Sequence, residues 1–176
     1  MQKYIRIVNL YPKEKSDIIN FCNSNIVIND INNDILNKII ILKNKCFTKS
    51  KFNYYPNIAI IVFDSEELDN ILGCCGIDFT TGLHIHALCV DNNHRLKGIG
   101  KAILDKAFEV ARLIAASNLW DSLISFDTII SKTYPGKHII LEINNIDLAK
   151  FYKKCGFKKI MTIKSYYSTT YCFKFI

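Results

Sequence analysis

Hydrophobic positions along the chain fall into short apolar runs and longer stretches with helical spacing. Runs of five to nine mainly apolar residues, bounded by polar turns, predict strands. The predicted strands are Tyr4 to Val8, Asn57 to Phe63, Ile71 to Phe79, Leu83 to Val90, His138 to Ile143, Phe157 to Ile163 and Tyr171 to Ile176.

Four stretches carry apolar residues at spacings of three and four, which predicts helices. They cover residues 12–22, 28–46, 98–114 and 147–155. Pro12 suits a helix N-terminus, and Gly156 suits a helix C-cap. In the last helix, Leu148, Phe151, Tyr152 and Cys155 are predicted to lie on the same face.

The resulting order of elements is β-α-α-β-β-β-α-β-α-β-β. Strand runs mixed with helices predict an α+β or mixed α/β sheet. Residues from about 118 to 137 contain Trp120 and end in a turn-like Tyr-Pro-Gly, and they fit neither pattern.

Composition narrows the class of protein. A chain of 176 residues with 49% hydrophobic residues predicts a single domain over residues 1–176. The sequence has no window of about 18 apolar residues and no signal-peptide pattern at its start, so we expect a cytoplasmic protein without a membrane partner. A net charge of +7 would suit an anionic partner. The lysines are scattered, however, so we expect no nucleic acid partner.

Seven cysteines are an odd number, and none forms a C-x-x-C pair. This pattern argues against a disulfide framework and against a structural zinc site. We therefore expect reduced cysteines in the core, and no metal.

The segment from Leu83 to Lys101 carries the clearest chemistry, because a strand, a polar loop and a helix follow one another there. The first N–H groups of a helix have no internal partner and attract anions. Gly98 and Gly100 allow close approach to the backbone. Arg95, Lys97 and Lys101 add positive charge, which favours a phosphate or pyrophosphate site. The Rossmann and Walker patterns are not met, and the alternative is a surface turn with incidental lysines.

Two motifs resemble those of the GNAT family of N-acetyltransferases. The first is R-x-x-G-x-G at Arg95 to Gly100, after a strand that ends in A-L-C-V. The second is N-I-D-L-A-K-F-Y-K-K-C-G-F at Asn145 to Phe157. The resemblance implies acetyl-CoA as co-substrate. It also implies a mixed sheet of six to seven strands with about four helices, in which two strands splay apart to hold acetyl-CoA.

The resemblance further implies which residues contact the cofactor. In the family, strand backbone binds the pantetheine arm, loop amides hold the pyrophosphate, and an asparagine contacts the pantetheine region. Lys101 is included because it adds positive charge next to the loop. The predicted cofactor-binding residues are Leu88, Cys89, Val90, Arg95, Leu96, Lys97, Gly98, Ile99, Gly100, Lys101 and Asn145.

Acetyl transfer to an amine needs a proton donor for the departing thiolate and a base for the amine. Tyr152 matches the residue that often protonates that thiolate in the family; the alternative is a core aromatic residue. His84 and His86 lie two apart on one strand and therefore share a face. They are candidate bases, and Glu142 is another. The alternative for the two histidines is that they are partly buried strand residues with satisfied hydrogen bonds. The alternative for Glu142 is an ordinary carboxylate at the end of a strand.

Cys89 is a possible nucleophile, but strict alternation places it on the face opposite His84 and His86. The family usually proceeds by direct attack of the amine, so we interpret Cys89 as a packing residue.

The sequence does not decide between several chemical classes of acceptor amine. The strand H-I-H-A-L-C-V is similar to the paired-histidine strand of arylalkylamine N-acetyltransferases. The positive charge would suit glucosamine 6-phosphate, and Tyr166-Tyr167 resembles a pair found in N-terminal acetyltransferases. We therefore expect a small-molecule amine or a peptide N-terminus as acceptor, and a monomer or homodimer. A non-catalytic CoA-binding module is the alternative from a different class.

Overall fold

A mixed sheet of eight strands forms the centre of the computed structural model, which describes residues 3–10, 28–47, 56–67, 69–79, 83–117, 139–143, 145–164 and 169–175. In chain order the strands are β1 (Tyr4–Asn9), β2 (Ile28–Asp30), β3 (Ile58–Phe63), β4 (Ile71–Asp78), β5 (Leu83–Val90), β6 (Ile139–Ile143), β7 (Phe157–Lys164) and β8 (Thr169–Phe175). Their order across the sheet is β2-β1-β3-β4-β5-β6-β8-β7. The predicted mixed α+β architecture is confirmed, with one strand more than expected.

Three α-helices lie among the described residues: α1 (Asn33–Cys46), α2 (Ile99–Ala116) and α3 (Ala149–Lys154). Two short 3-10 helices, Asn92–His94 and Ile146–Leu148, precede α2 and α3. The helix predicted over residues 12–22 and the segment 118–137 lie outside the described residues. No helix in the described ranges has both the length and the apolar character needed to cross a bilayer.

The start of α1 corrects the helix predicted from residue 28. Ile28–Asp30 forms a strand that pairs in parallel with β1, with Ile28 opposite Ile7. The helix begins only after Asn32, whose side chain accepts a hydrogen bond from the Ile35 N–H at 2.8 Å. Asparagine is a preferred N-cap, so this local bond sets the boundary that hydrophobic spacing misplaced.

Helices cover both faces of the sheet and divide its core into two parts. On the α1 face, Ile39 and Leu42 of the helix pack against buried residues of the central strands, including Ile61 and Phe63. The opposite face is larger and packs against α2 and α3. Its fully buried residues include Ile58, Ile60, Leu83, Ile99, Ile103 and Leu104.

Strands β5 and β6 are paired over only three positions. Leu83, His84 and Ile85 lie opposite Ile139, Ile140 and Leu141 in a parallel register, and the described pairing stops there. The rest of β5, from His86 to Val90, runs on without a described β6 partner. The two strands thus separate in the direction of the loop after β5, which is where the strand splay was expected.

A β-bulge changes the alternation along β5. Its position is marked by Ala87, which has a φ of 49°, and by a register shift between Cys74 and Gly76 on β4. Directly paired residues of antiparallel strands share a face. Because Cys89 pairs with Cys74 and His86 pairs with Gly76, Cys89 lies on the same face as the histidines. The expectation of opposite faces is therefore wrong, since the bulge inserts one extra residue.

The predicted helix over residues 147–155 is shorter than expected and starts as a 3-10 turn. Leu148 lies in that turn and is 46% exposed, so it does not share the buried face. Ala149 and Tyr152 are the buried residues of α3. Gly156 has a φ of 96°, which confirms its prediction as the residue that ends the helix.

Candidate active site

The loop between β5 and α2 leaves a helix N-terminus without a side-chain cap. Asp91 caps the 3-10 helix before it by accepting a hydrogen bond from the Asn93 N–H at 2.9 Å. The N-cap of α2 is Gly98, with a φ of 76° and no side-chain hydrogen bond. The first N–H groups of α2 therefore have no capping side chain, as an anion site at a helix N-terminus requires.

The backbone of this loop has a positive φ at two positions separated by one residue. Leu96 has a φ of 62° and a fully exposed side chain, and Gly98 has a φ of 76°. A non-glycine residue in the left-handed region is strained, and such residues concentrate at binding sites. Leu96 is therefore consistent with a binding loop at the start of α2.

The three cationic side chains predicted at this loop differ in their contacts. The Nε of Arg95 donates to the Val90 carbonyl at 3.4 Å, which holds the guanidinium against the end of β5. Lys97 is exposed. The ammonium of Lys101 contacts the Asp105 carboxylate at 2.6 Å, so part of its charge is already balanced.

Lys3 is a further cation at this loop, in addition to those of the sequence motif. Its Nζ donates to the Lys97 carbonyl at 2.9 Å, although 94 residues separate them in the chain. A Cβ placed on Gly98 would lie 3.5 Å from the same Nζ. No local pattern could have identified Lys3, since the contact depends on β1 lying beside β3 in the sheet.

Gly100 serves close packing between α2 and α3. A Cβ at this position would lie 3.2 Å from Cζ of Phe151 and 3.7 Å from Cγ2 of Val90. Ile99, its neighbour, is fully buried beneath the loop. These two predicted cofactor residues therefore also shape the floor of the loop.

The splay places backbone of both strands along a gap. Leu88, Cys89 and Val90 belong to the part of β5 that has no described β6 partner. On the other side, β6 continues to Ile143. Beyond it the exposed Asn145 accepts a hydrogen bond from the Asp147 N–H at 2.9 Å and caps the second 3-10 helix. Strand-edge amides and carbonyls along such a gap suit a ligand with its own amide groups.

Tyr152 lies on the α2 and α3 face of the sheet and is 6% exposed. Its ring packs edge-on against Phe157, with centroids 5.9 Å apart. Burial raises the pKa of the Tyr152 hydroxyl, and the nearby thiols of Cys75, Cys155 and Cys89 raise it further. The hydroxyl is therefore protonated at neutral pH, as a proton donor must be.

His84 and His86 lie together on the α1 face, with ring centroids 3.9 Å apart. They are joined by Asp78, which is 4% exposed. Asp78 pairs with His84 across the β4–β5 hairpin, and its Oδ2 lies 3.8 Å from Nε2 of His86. Among the described residues no group of three potential ligands is arranged to hold a metal ion.

Both imidazoles are neutral at pH 7. Burial lowers the pKa of His84 to about 3, repulsion from His86 adds to this, and Asp78 opposes it. Burial also lowers the pKa of His86, but the Asp78 carboxylate is close and opposes the change. Since a carboxylate near an imidazole favours the protonated form, His86 is the better proton acceptor of the two.

Asp78 is a second residue of the candidate site, after Lys3, that no sequence motif identified. The sequence contains a signal for it, because only three residues separate the predicted strands that end at Phe79 and begin at Leu83, and so short a connection limits which residues can lie opposite each other. Counting outward from residues 79 and 83 places residue 78 opposite His84, which is the observed register.

The remaining two candidates have different outcomes. Glu142 belongs to β6 just beyond the part paired with β5, so its backbone borders the gap. The orientation of its side chain lies outside what the structure describes. The thiol of Cys89 is buried and lies 3.4 Å from the thiol of Cys74. Hydrogen bonding with the thiols of Cys46 and Cys74 raises the pKa of Cys89 and burial raises it further, so Cys89 is a poor nucleophile in this state.

The arrangement combines an anion site at one end of a gap with acid and base candidates on its two sides. The uncapped α2 N-terminus with Arg95, Lys97 and Lys3 suits a pyrophosphate. The gap between β5 and β6 suits an extended amide-containing arm. A protonated tyrosine on one face and neutral histidines on the other suit proton transfer in an acyl-transfer reaction.

Comparison with known proteins gives a family match over more than half of the chain. A family model described as an acetyltransferase (GNAT) domain matches residues 56–159, which include β3 to α3 and both motifs. No curated protein sequence matches the chain.

Several solved structures share the fold at low sequence identity. Escherichia coli ElaA has a TM-score of 0.61 and 12% identity, with 99% of this chain and 100% of that chain covered. An aminoglycoside 6'-N-acetyltransferase complexed with coenzyme A has a TM-score of 0.54 and 14% identity, with 81% and 91% covered. The ribosomal-protein-S18-alanine N-acetyltransferase from Escherichia coli has a TM-score of 0.53 and 12% identity, with 82% and 89% covered.

Proposed function

The chain belongs to the GNAT acetyltransferase family, whose co-substrate is acetyl-CoA, and on that premise we propose that it acetylates a primary amine that enters from the α1 face of the splay. The observation that carries the proposal is the polar group of Asp78, His84 and His86, which lies where the pairing of β5 with β6 ends. The arylalkylamine class is the acceptor we favour, because it matches the paired-histidine strand.

The proposed cofactor contacts follow from the loop and the splay. The pyrophosphate binds the N–H groups at the start of α2, from Gly98 to Lys101, with Arg95 and Lys97 close by. The pantetheine arm pairs with the backbone of β5 from Leu88 to Val90. Asn145 borders the same gap on the β6 side.

The proposed reaction is direct attack by the neutral amine on the thioester carbonyl. His86 accepts a proton from the ammonium form of the acceptor, directly or through water, and Asp78 stabilises the imidazolium that results. The amine nitrogen forms the new bond to the acetyl carbon, and the carbon–sulfur bond breaks. Tyr152 gives its proton to the departing thiolate from the opposite face.

Charge on the α1 face helps to rank the acceptors. A buried carboxylate at Asp78 attracts a cationic amine and repels a phosphorylated one. This supports an arylalkylamine or a peptide N-terminus over glucosamine 6-phosphate. The neighbouring Lys43 of α1, which disfavours protonation of His86, offsets part of this attraction. The single-domain organisation, the cytoplasmic location and the monomeric or dimeric state stay predictions.

The test is release of free CoA thiol from acetyl-CoA with a panel of tryptamine, spermidine, glucosamine 6-phosphate and short peptides. We expect turnover with tryptamine, and a decrease in kcat of about a hundredfold or more in Tyr152→Phe, the usual range for loss of a general acid. Tyr4→Phe is the matched control, because it removes the same oxygen from a partly buried tyrosine on β1.

Each outcome of this assay bears on a separate part of the proposal. Equal kcat for Tyr152→Phe and Tyr4→Phe would exclude Tyr152 as the acid. Turnover only with a peptide or with the sugar phosphate would replace the favoured acceptor. A rise in melting temperature with acetyl-CoA but no turnover of any amine would refute the proposed acceptor classes and leave the cofactor site intact.

A further inference from the structure

Three cysteines form a connected group beside the cofactor loop. Cys46 is the last residue of α1, Cys89 lies near the end of β5, and Cys74 lies opposite Cys89 on β4. The thiols of Cys74 and Cys89 are 3.4 Å apart. Cys46 packs against the buried cluster that contains Cys74 and Cys89, and its Sγ lies 3.6 Å from the carbonyl of Val90, the residue after Cys89. The bulge at Ala87 makes this group possible, because it turns Cys89 toward α1.

Exposure differs along the group. Cys46 is partly exposed, whereas Cys89 and Cys74 are buried. A reagent in solution therefore reaches Cys46 first. Cys89 can be reached only through Cys46, or after local opening of the strand.

Arg95 approaches the group through a shared acceptor. The Val90 carbonyl lies 3.6 Å from Sγ of Cys46 and 3.4 Å from Nε of Arg95. A guanidinium beside a thiol favours the thiolate. The hydrogen bond from Cys89 and the charge of Arg95 outweigh partial burial and lower the pKa of Cys46 to about 6.

We propose that Cys46 and Cys89 are an oxidisable pair, in which a small organic disulfide converts the two thiols into a disulfide that ties the end of α1 to β5. The Cys46 thiolate attacks one sulfur of the reagent, forms a mixed disulfide and releases one reagent thiolate. Cys89 then loses its proton to solvent and attacks the sulfur of Cys46, which releases the second reagent thiolate. Two protein thiols are oxidised and one reagent disulfide is reduced to two thiols.

The second step is favoured by the first. In the reduced protein the hydrogen bond with Cys46 is the largest cause that raises the pKa of Cys89. Once Cys46 is in a mixed disulfide, it no longer carries a negative charge, and that cause is removed. Ionisation of Cys89 therefore becomes easier at the moment when it has to attack.

Cys155 is the matched control within the chain. It is also partly exposed, but burial raises its pKa and it has no thiol partner described within bonding distance. At pH 6 about half of Cys46 is thiolate, against about one part in a thousand for a thiol of pKa 9. Because nucleophilicity falls with pKa, we expect a rate advantage of roughly twentyfold rather than several hundredfold.

The experiment treats the full chain with oxidised glutathione at pH 6 to 8 and maps the products by mass spectrometry without reduction. We expect a glutathione adduct on Cys46 whose rate of formation is nearly constant above pH 6.5, followed by a Cys46–Cys89 crosslink that dithiothreitol reverses. Cys155→Ser should react as wild type does, and Cys46→Ser should give no crosslink. Cys89→Ser should accumulate the glutathione adduct on Cys46.

Three results would overturn the proposal: a crosslink that excludes Cys46, equal adduct rates on Cys46 and Cys155 at pH 6, or an adduct on Cys46 that never resolves in the wild type. The wild-type and Cys46→Ser measurements decide the matter even if Cys89→Ser fails to fold. Arg95→Gln adds a separate check, since it should move the pH midpoint of Cys46 reaction upward, and Arg95→Lys should move it less.

Discussion

Acidification should destabilise the fold through His84, because its imidazole is neutral in the folded state and charged in the unfolded chain. Its folded pKa of about 3 lies below an unfolded value near 6.5. Between these two pH values the unfolded chain binds a proton that the folded protein does not. Stability from this residue is therefore complete above pH 6.5 and decreases as the pH falls toward 3.

The size of the effect follows from the distance between the unfolded pKa and the chosen pH. At pH 5 the unfolded value lies about 1.5 units higher, and each unit is worth about 1.36 kcal/mol, so His84 alone costs about 2 kcal/mol relative to pH 7. His86 adds a contribution of the same sign, because its pKa is lowered too. Such a loss is a large fraction of the stability of a typical domain.

Urea denaturation at pH 7 and pH 5 measures this loss directly. Compared with the wild type, His84→Gln should lose about 2 kcal/mol less of its unfolding free energy between the two pH values. Asn93→Gln changes an exposed side chain without a titratable group in the loop after β5 and should keep the wild-type loss. If His84→Gln loses as much stability as the wild type, the imidazole is not held neutral by burial, and the argument is refuted.

Three further substitutions test other contacts. Lys3→Met should raise the KM for acetyl-CoA about two- to fivefold and leave kcat unchanged, since an exposed cation contributes up to about 1 kcal/mol; an unchanged KM would remove Lys3 from the cofactor site. Gly76→Ala should lower the unfolding free energy by about 1–3 kcal/mol, measured by urea denaturation, because its Cβ would overlap the ring of Pro56. Asp78→Asn should shift the acidic limb of the pH profile of kcat/KM to lower pH, because the carboxylate raises the pKa of His86; an unshifted limb would separate Asp78 from the base.

Elements with a long, regular hydrophobic pattern could be predicted from the sequence. The helix from residue 98 and the strand from Leu83 to Val90 have many apolar positions whose burial outweighs local preferences. The three-residue strand β2 could not be predicted, because Ile28 also fits the helical spacing of the residues after it. Only the pairing of β2 with β1, which is a tertiary contact, shows that this segment is a strand and not the start of the helix.

The parts of the candidate site that lie in continuous sequence motifs could be predicted. The parts that depend on contacts between distant residues could not. The loop from Arg95 to Gly100 is a continuous motif, and the structure leaves the adjoining helix end uncapped as expected. The bulge at Ala87 has no clear signal in the sequence, so alternation gave the wrong face for Cys89. Lys3 reaches the loop through a contact across the fold.

The short register between β5 and β6 has a consequence for the cooperativity of the sheet. Only three residue pairs join strands β1 to β5 with strands β6 to β8 in the described pairing, so the backbone connection between the two parts is weak. Parts joined in this way can open as separate cooperative units. Amide hydrogen exchange should then be faster in β6 to β8 than in β3 and β4, and a ligand lying along the gap should slow it by linking both parts. In this sheet a ligand bound as proposed would take the place of the backbone bonds that the diverging strands do not make.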